Sequence, residues 1–355
     1  MMESYFDDAV ALLRRLIATP SVSREESAAA DLIEEELRSY GFEPRRERNN
    51  VWAVGHGYDE ARPTLLLNAH LDTVRPVDSW TRDPFTPVVE GDRLYGLGSN
   101  DCGGGLVTLL QVFRHLASNP SQKGEAFNFI FLATAEEEVS GQNGARRVLS
   151  MLPSVDAAIV GEPTGMQPAI AERGLLVLDV TARGRSGHAA RGEGVNAIYE
   201  AMTDLEWLRS YRFDRVSPLL GETRMQVTQI EAGTQHNVVP DTCHMVVDIR
   251  TNELYNNKEV YNEVASHLGS EVRARSLDLN STRIAPDHPL VQRCVAMGLQ
   301  PFGSPTLSDQ ALMPWPSLKL GPGDSSRSHT ADEYICLSEL RQALEIYTRL
   351  LPSTE

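Results

Sequence analysis

Short apolar runs that stop at an acidic residue or a histidine recur along this sequence, and they alternate with segments of helical spacing. TLLLNAH (64–70), FNFIFLAT (127–134) and AAIVGE (157–162) have the length and apolar content of strands that are buried on both faces. LVTLLQVFRHL (106–116) repeats its apolar residues at helical spacing. Strands that alternate with helices predict an α/β fold, with a mixed, largely parallel sheet flanked by helices.

The pattern changes near residue 175 and returns near Pro289. In between, strands such as LLVLDVTARG (175–184) and CHMVVDIR (243–250) alternate apolar and polar residues, which is typical of sheets with one solvated face. We therefore predict a catalytic domain that is interrupted by a smaller inserted α+β domain, with the bounds 1–174, 175–281 and 282–355.

The first forty residues predict two helices, near 4–18 and 25–40. Ser23-Arg24-Glu25-Glu26 has the pattern of a capping box that would begin the second helix. Acidic residues precede the apolar ones in the first helix, so this segment does not resemble a secretory signal.

The charge and cysteine content of the chain argue against several classes of partner. The formal net charge is −16 and the isoelectric point is near 5.1, so the surface repels nucleic-acid phosphates. No run of 18 apolar residues occurs, so no membrane span is expected. The cysteines are scattered, which predicts a cytoplasmic protein without a zinc finger or a disulfide framework: Cys102, Cys243, Cys294 and Cys336.

Acidic and histidine side chains follow the predicted strands or lie in glycine-rich loops. In open α/β sheets, functional sites form beyond the carboxyl ends of the strands, so these groups could converge in space. Carboxylates that are packed together need a balancing cation. Carboxylate and imidazole ligands suit a pair of zinc, cobalt or manganese ions. The candidates are His70, Asp72, Asp101, Glu136-Glu137-Glu138, Glu162 and His329.

Each of these features also has a simpler interpretation. A single histidine at a strand end can be a capping residue, and an acidic triplet can lie at a solvated helix N-terminus. The glycine-rich loop 96–105 could hold a phosphate, but Asp101 stands where a dinucleotide fingerprint needs glycine, and no Walker lysine follows. SRSH (326–329) contains a serine, but the G-x-S-x-G elbow of serine hydrolases is absent.

Eight motifs, in order along nearly the whole chain, resemble the family of acetylornithine deacetylases and succinyl-diaminopimelate desuccinylases. This family consists of two-zinc amidohydrolases and also contains aminoacylases and glutamate carboxypeptidases. The motifs are HLDTV (70–74), YGLGSND (95–101), ATAEEEVSGQNGA (133–145), VGEPTG (160–165), GRSGHAA (184–190), NVVPDTC (237–243), DIR (248–250) and GPGDSSRSH (321–329).

The resemblance implies two zinc ions per subunit, which cobalt can replace, and a role for each matching residue. Glu137 would be the catalytic base, although Glu136 stays open as an alternative. Asp72 would orient a ligand or tune this base. The implied metal ligands are His70 and Glu162 on one ion, His329 and Glu138 on the other, and Asp101 bridging both.

The inserted domain would then be the family's lid and dimerisation domain, which makes a homodimer the expected assembly. His188 matches a histidine that stabilises the oxyanion, often in the partner's site, and Asn237 and Arg250 match residues that hold the substrate's carboxylate. Departures from the family pattern leave the substrate preference open: Leu97, Cys102 and Gly103 stand where arginine, methionine and lysine are common.

The resemblance implies hydrolysis of the amide bond of N-acyl-L-amino acids, with acetylornithine deacetylation in arginine biosynthesis as the leading expectation. The acyl group could be acetyl or succinyl, and the amino acid ornithine or citrulline. Desuccinylation of diaminopimelate, aminoacylase activity and dipeptide cleavage are the alternatives. A binding module with an inactive metal site is the non-enzymatic alternative.

Overall fold

A computed structural model describes residues 2–117 and 127–351 and divides the chain into two compact units. The first unit contains residues 1–170, 284–302 and 308–355, and the second contains 171–283 and 303–307. The sequence placed the inserted domain at 175–281, whereas the main segment of the second unit begins at 171 and ends at 283, and residues 303–307 also belong to it. None of the helices in the described part of the chain is long and apolar enough to cross a membrane.

The helices and strands follow one another as the sequence pattern indicates. The helices are α1 Met2–Ile17, α2 Ser27–Ser39, α3 Gly104–Ala117, α4 Ala145–Val148, α5 Ala197–Ser210, α6 Asn257–His267, α7 Pro289–Ala296 and α8 Leu337–Leu350. The strands are β1 Arg45–Glu47, β2 Asn50–Val54, β3 Thr64–His70, β4 Val88–Glu90, β5 Arg93–Tyr95, β6 Asn128–Thr134, β7 Ala157–Val160, β8 Ala169–Glu172, β9 Leu176–Arg183, β10 Arg224–Ala232, β11 Thr242–Arg250, β12 Glu271–Ala274, β13 Thr282–Arg283, β14 Phe302–Ser304, β15 Ser317–Lys319 and β16 Tyr334–Cys336.

The central sheet of the first unit runs in the order β1-β2-β6-β3-β7-β15 and continues to β8, within which the boundary between the units falls. Its four middle strands, β6, β3, β7 and β15, are parallel, whereas β1 and β2 join antiparallel at one edge. The predicted fold class, an α/β protein with a mixed, largely parallel sheet, is therefore confirmed.

Both faces of this sheet are covered, so its strands carry apolar side chains on each side. Every residue of β3 and β6 is buried, and α3 packs on one face together with α1 and α8. An apolar cluster that includes Trp52, Leu66, Ile130 and Leu132 fills the other face. Fully burying one such side chain is worth about 1.5–3 kcal/mol. Charged groups are therefore confined to the ends of the strands.

The second unit is built around an antiparallel sheet in the order β10-β11-β9-β12. Burial alternates along β9, which is the pattern of a sheet with one face on a core. That core contains apolar residues of α5 and α6 as well as of the sheet. β10 forms an edge of the sheet and is exposed along most of its length.

Candidate metal centre

The parallel register brings the predicted site residues to one edge of the central sheet. His70 ends β3 opposite Thr134, the last residue of β6, and Asn68 lies opposite Val160, the last residue of β7. Lys319 of β15 is also aligned with Val160. The chain therefore leaves all four strands on the same side of the sheet. This side contains His70 at the end of β3, the segment 136–138 after β6, Glu162 after β7 and the loop to His329 after β15.

Glycine allows the turn that carries Asp101 to approach β7. A Cβ atom on Gly105 would lie 1.7 Å from the carbonyl oxygen of Gly161, so no larger residue fits at the start of α3. Glu333 fixes the preceding loop, because its buried carboxylate accepts the backbone N–H groups of Gly98, Asn100 and Asp101 at 2.8–3.1 Å. Burial raises the pKa of Glu333 to about 7.

Asp101 faces two histidines, one with each carboxylate oxygen. Its Oδ1 lies 3.1 Å from Nε2 of His70, and its Oδ2 lies 3.7 Å from Nε2 of His329. Glu162 Oε1 is 3.8 Å from His70 Nε2, and Glu138 Oε2 is 2.9 Å from His329 Nε2. The five predicted ligands therefore form two clusters that share Asp101.

These separations and donor types fit two divalent ions. Two donors at about 2.0–2.2 Å from one tetrahedral ion are roughly 3.3–3.6 Å apart. The four carboxylate–imidazole distances, 2.9–3.8 Å, lie around that value. Glu162 Oε1 is buried and finds no hydrogen-bond partner among residues 2–117 and 127–351, as expected for an atom that binds a cation.

Burial and neighbouring charges shift the pKa values of residues in both clusters. Burial, together with the neighbouring charge of Asp101, raises the pKa of Glu162 to about 8. The hydrogen bond that His329 donates to the Glu138 carboxylate raises the pKa of His329 to about 9, although the His329 side chain is 52% exposed. The positive charges near Glu162 do not offset this rise in its pKa, and a divalent cation would do so.

Asp72 holds the segment that carries the candidate base. Its carboxylate accepts the backbone N–H groups of Glu137 at 3.0 Å and Glu138 at 3.2 Å, and the Ser23 hydroxyl at 2.6 Å. Nδ1 of His70 lies 2.9 Å from the backbone carbonyl of Asp72 and 3.6 Å from its carboxylate. The main chain of Asp72 thus orients the imidazole, while its side chain positions the acidic segment.

Glu136 and Glu137 have different surroundings. The Glu136 carboxylate accepts the backbone N–H of Asn143 at 3.2 Å and its side-chain amide at 2.9 Å. Glu137 makes no side-chain hydrogen bond with the described residues, and burial together with the charges of Glu162 and Asp309 raises its pKa well above the ordinary value. Of the two, only Glu137 has a carboxyl group that is available to exchange a proton at the site.

Several residues at this edge of the sheet were missed by the sequence patterns. Lys319, 1% exposed, contributes a positive charge that lowers the pKa of Glu162. Ser23 does not cap α2: the helix begins after Glu26 without a side-chain cap, and the Ser23 hydroxyl donates to Asp72 instead. No local sequence signal identifies either contact.

The remaining predicted residues belong to the second unit. The Nδ1 of His188 accepts the backbone N–H of Ala190, and the residue after His188 donates to the carbonyl of Asn237. His188 and Asn237 both lie beyond the Thr242 end of β11. Arg250 ends β11 on the opposite side and pairs with both carboxylate oxygens of Asp248, at 2.8 and 3.0 Å.

Comparisons with known proteins agree with this geometry. The model of the peptidase family M20/M25/M40 matches residues 66–353. The acetylornithine deacetylases of Edwardsiella ictaluri and Klebsiella pneumoniae are 28% and 29% identical, and each alignment covers 99% of this chain and 98% of the relative. A tripeptidase from Staphylococcus aureus has a similar fold, with a TM-score of 0.77 at 20% identity over 98% of both chains. A dinuclear metal-binding peptidase from Bacillus subtilis has a TM-score of 0.72 at 18% identity, over 98% of both chains.

Proposed function

This chain belongs to the peptidase family M20/M25/M40. We propose that it is an amidohydrolase that requires two divalent metal ions and that its preferred metal is zinc. The observation that carries the proposal is the shared carboxylate of Asp101, which faces His70 with one oxygen and His329 with the other. Glu162 and Glu138 complete the two ligand sets. The alternative of an inactive binding module would be expected to lack some of these groups.

The residues around the ligands fit hydrolysis of an amide. When bound, a pair of divalent ions lowers the pKa of a water molecule and polarises an amide carbonyl. Glu137 accepts the proton that this water loses and returns it to the departing amine nitrogen. Asp72 holds the backbone of Glu137 during both transfers. The net reaction consumes one water and one amide and yields a carboxylate and a protonated amine.

Within this reaction class, we favour N-acyl-L-amino acids, and acetylornithine first. The support is the length of the match, since curated acetylornithine deacetylases align over 99% of the chain. Arg250 would bind the carboxylate of the amino acid as a bidentate pair, the geometry it already forms with Asp248. This substrate would make the protein a cytoplasmic enzyme of arginine biosynthesis.

The second unit supports a homodimer in which each lid serves two sites. β11 has nine residues and is about 27 Å long, so Arg250 at one end cannot reach a small substrate that His188 and Asn237 contact beyond the other end. In a homodimer, one subunit would supply Arg250 to a site and the other subunit would supply His188 and Asn237. The exposed edge of β10 and exposed apolar side chains of α5, Tyr199 and Met202 among them, suit such an interface.

The experiment is a substrate panel with metal content measured on the same sample. Purified protein, stripped and reloaded with zinc or cobalt, is assayed on N-acetylornithine, N-acetylcitrulline, N-succinylornithine, N-succinyl-diaminopimelate, other N-acetyl amino acids and dipeptides. We expect N-acetylornithine to have the highest kcat/KM and the stripped protein to be inactive. A preference for dipeptides would refute the deacylase assignment. Loaded protein that cleaves none of these amides would favour the binding module.

A further inference from the structure

A cysteine lies beside the first metal position. Cys102 follows the bridging Asp101 and is 2% exposed. Its sulfur, a ring nitrogen of His70 and a carboxylate oxygen of Glu162 all lie within 4.8 Å of one another. The thiol donates a hydrogen bond to the carbonyl oxygen of Gly161, 3.4 Å away, next to Glu162 in the chain. No step of the proposed hydrolysis uses this sulfur.

Glu162 independently marks this position as a place for a cation. The residue is 8% exposed, and its Oε1 is buried without a hydrogen-bond partner in the described ranges 2–117 and 127–351. A buried carboxylate oxygen in this state costs free energy unless a positive charge binds it. The ion that binds this oxygen and His70 would lie within reach of the Cys102 sulfur.

We propose that Cys102 is a sulfur ligand of the metal ion held by His70, Asp101 and Glu162. The inference rests on the proposed two-metal function. On binding, the thiol releases its proton to solvent, gives up its hydrogen bond to Gly161 and forms a metal–sulfur bond as a thiolate. No oxidant or reductant takes part.

This ligand makes the two metal positions chemically unequal. The first has one sulfur, one nitrogen and two carboxylate ligands and is buried. The second has only His329, Glu138 and the shared Asp101, and its histidine is half exposed. Thiolate favours zinc and cobalt over manganese and magnesium. The first ion therefore binds more tightly and more selectively, and the second exchanges more readily.

The test is a titration of metal-free, reduced full-length protein with Co²⁺, followed by ultraviolet–visible absorption. A thiolate-to-cobalt charge-transfer band in the near ultraviolet should grow with the first equivalent and stop before the second. Cys102→Ser should lose this band and bind the first ion at least about tenfold more weakly, the loss seen even when only an outer-sphere partner is removed.

Cys294→Ser is the matched control, because Cys294 is equally buried, lies on α7 and belongs to no candidate ligand group among the described residues. It should keep the band. If Cys102→Ser fails to fold, the wild-type titration still decides: two bound cobalt ions without a charge-transfer band overturn the proposal. A band that persists in folded Cys102→Ser overturns it as well.

The same samples separate this proposal from the proposed function. Wild-type protein that hydrolyses N-acetylornithine with two cobalt ions but shows no band would retain the amidohydrolase assignment and lose the sulfur ligand. A band in protein that cleaves no amide of the panel would retain the ligand and refute the function. Protein that binds no cobalt would refute both.

Discussion

Replacing Glu137 with glutamine removes the proposed proton acceptor without changing the shape of the side chain. The Glu137 carboxyl makes no side-chain hydrogen bond in the described part of the chain, so the replacement breaks no contact that supports the fold. Its backbone N–H still donates to Asp72. The variant should therefore fold, and both metal ions should still bind.

The size of the effect follows from the neighbouring carboxylates. A positioned general acid–base group contributes about 10²–10⁴-fold to rate, equal to about 2.7–5.4 kcal/mol of barrier. None of the adjacent carboxylates can replace it: Glu136 is bound to Asn143, and Glu138 and Glu162 are proposed metal ligands. We therefore expect the upper part of this range, a decrease of about 10³–10⁴-fold in kcat.

The assay compares kcat and metal content of Glu137→Gln with those of Glu136→Gln. In the second variant one oxygen that accepts an N–H group of Asn143 becomes an amide donor, which costs about 1–3 kcal/mol of unfolding free energy. Its kcat should stay within a few-fold of wild type, because no proton transfer is lost. If Glu136→Gln were the inactive variant, or if metal-loaded Glu137→Gln kept the wild-type rate, the assignment of the base would be wrong.

Three further outcomes are expected. Asp72→Asn leaves one backbone N–H of the acidic segment without its acceptor, so denaturant melts should show a loss of about 1–3 kcal/mol and kinetics a lower kcat; an unchanged kcat would refute the positioning role. Chelation should abolish activity and lower the melting temperature, and zinc at about 100 times its Kd should restore about 2.7 kcal/mol; an unaffected melting curve would argue against metal binding. Mixed and reassociated His188→Ala and Arg250→Ala subunits should regain about a quarter of wild-type activity, because half of the dimers are mixed and one of their two sites is intact; no recovery would argue against sharing between subunits.

Three of the proposed metal-site segments can be predicted from the sequence because they lie directly at or after strand ends. The largely apolar run TLLLNA is buried on both faces, so His70, the residue that ends this strand, lies at the edge of the sheet. The same reasoning applies to Glu162 after β7 and to the acidic segment after β6. Parallel pairing then brings all three to one side, although about ninety residues separate the first from the last.

Contacts that depend on pairing between distant loops are not encoded locally. Ser23 has the spacing of a helix cap, yet its hydroxyl donates to the charged carboxylate of Asp72, forty-nine residues away, and α2 begins only after Glu26. Glu333 binds three N–H groups of the loop before Cys102, more than 230 positions earlier in the chain. Short sequence windows contain no information about such pairs.

Family motifs do not show how the proposed substrate-binding residues are arranged in space. His188, Asn237 and Arg250 match motifs that occur together in the chain order, which suggests one binding surface. Antiparallel pairing instead places the first two beside the Thr242 end of β11 and the third at the other end, about 27 Å along the strand. A motif records which residues are present but not which copy of the chain supplies them. Whether one substrate meets all three therefore depends on assembly, and the subunit-mixing experiment measures that directly.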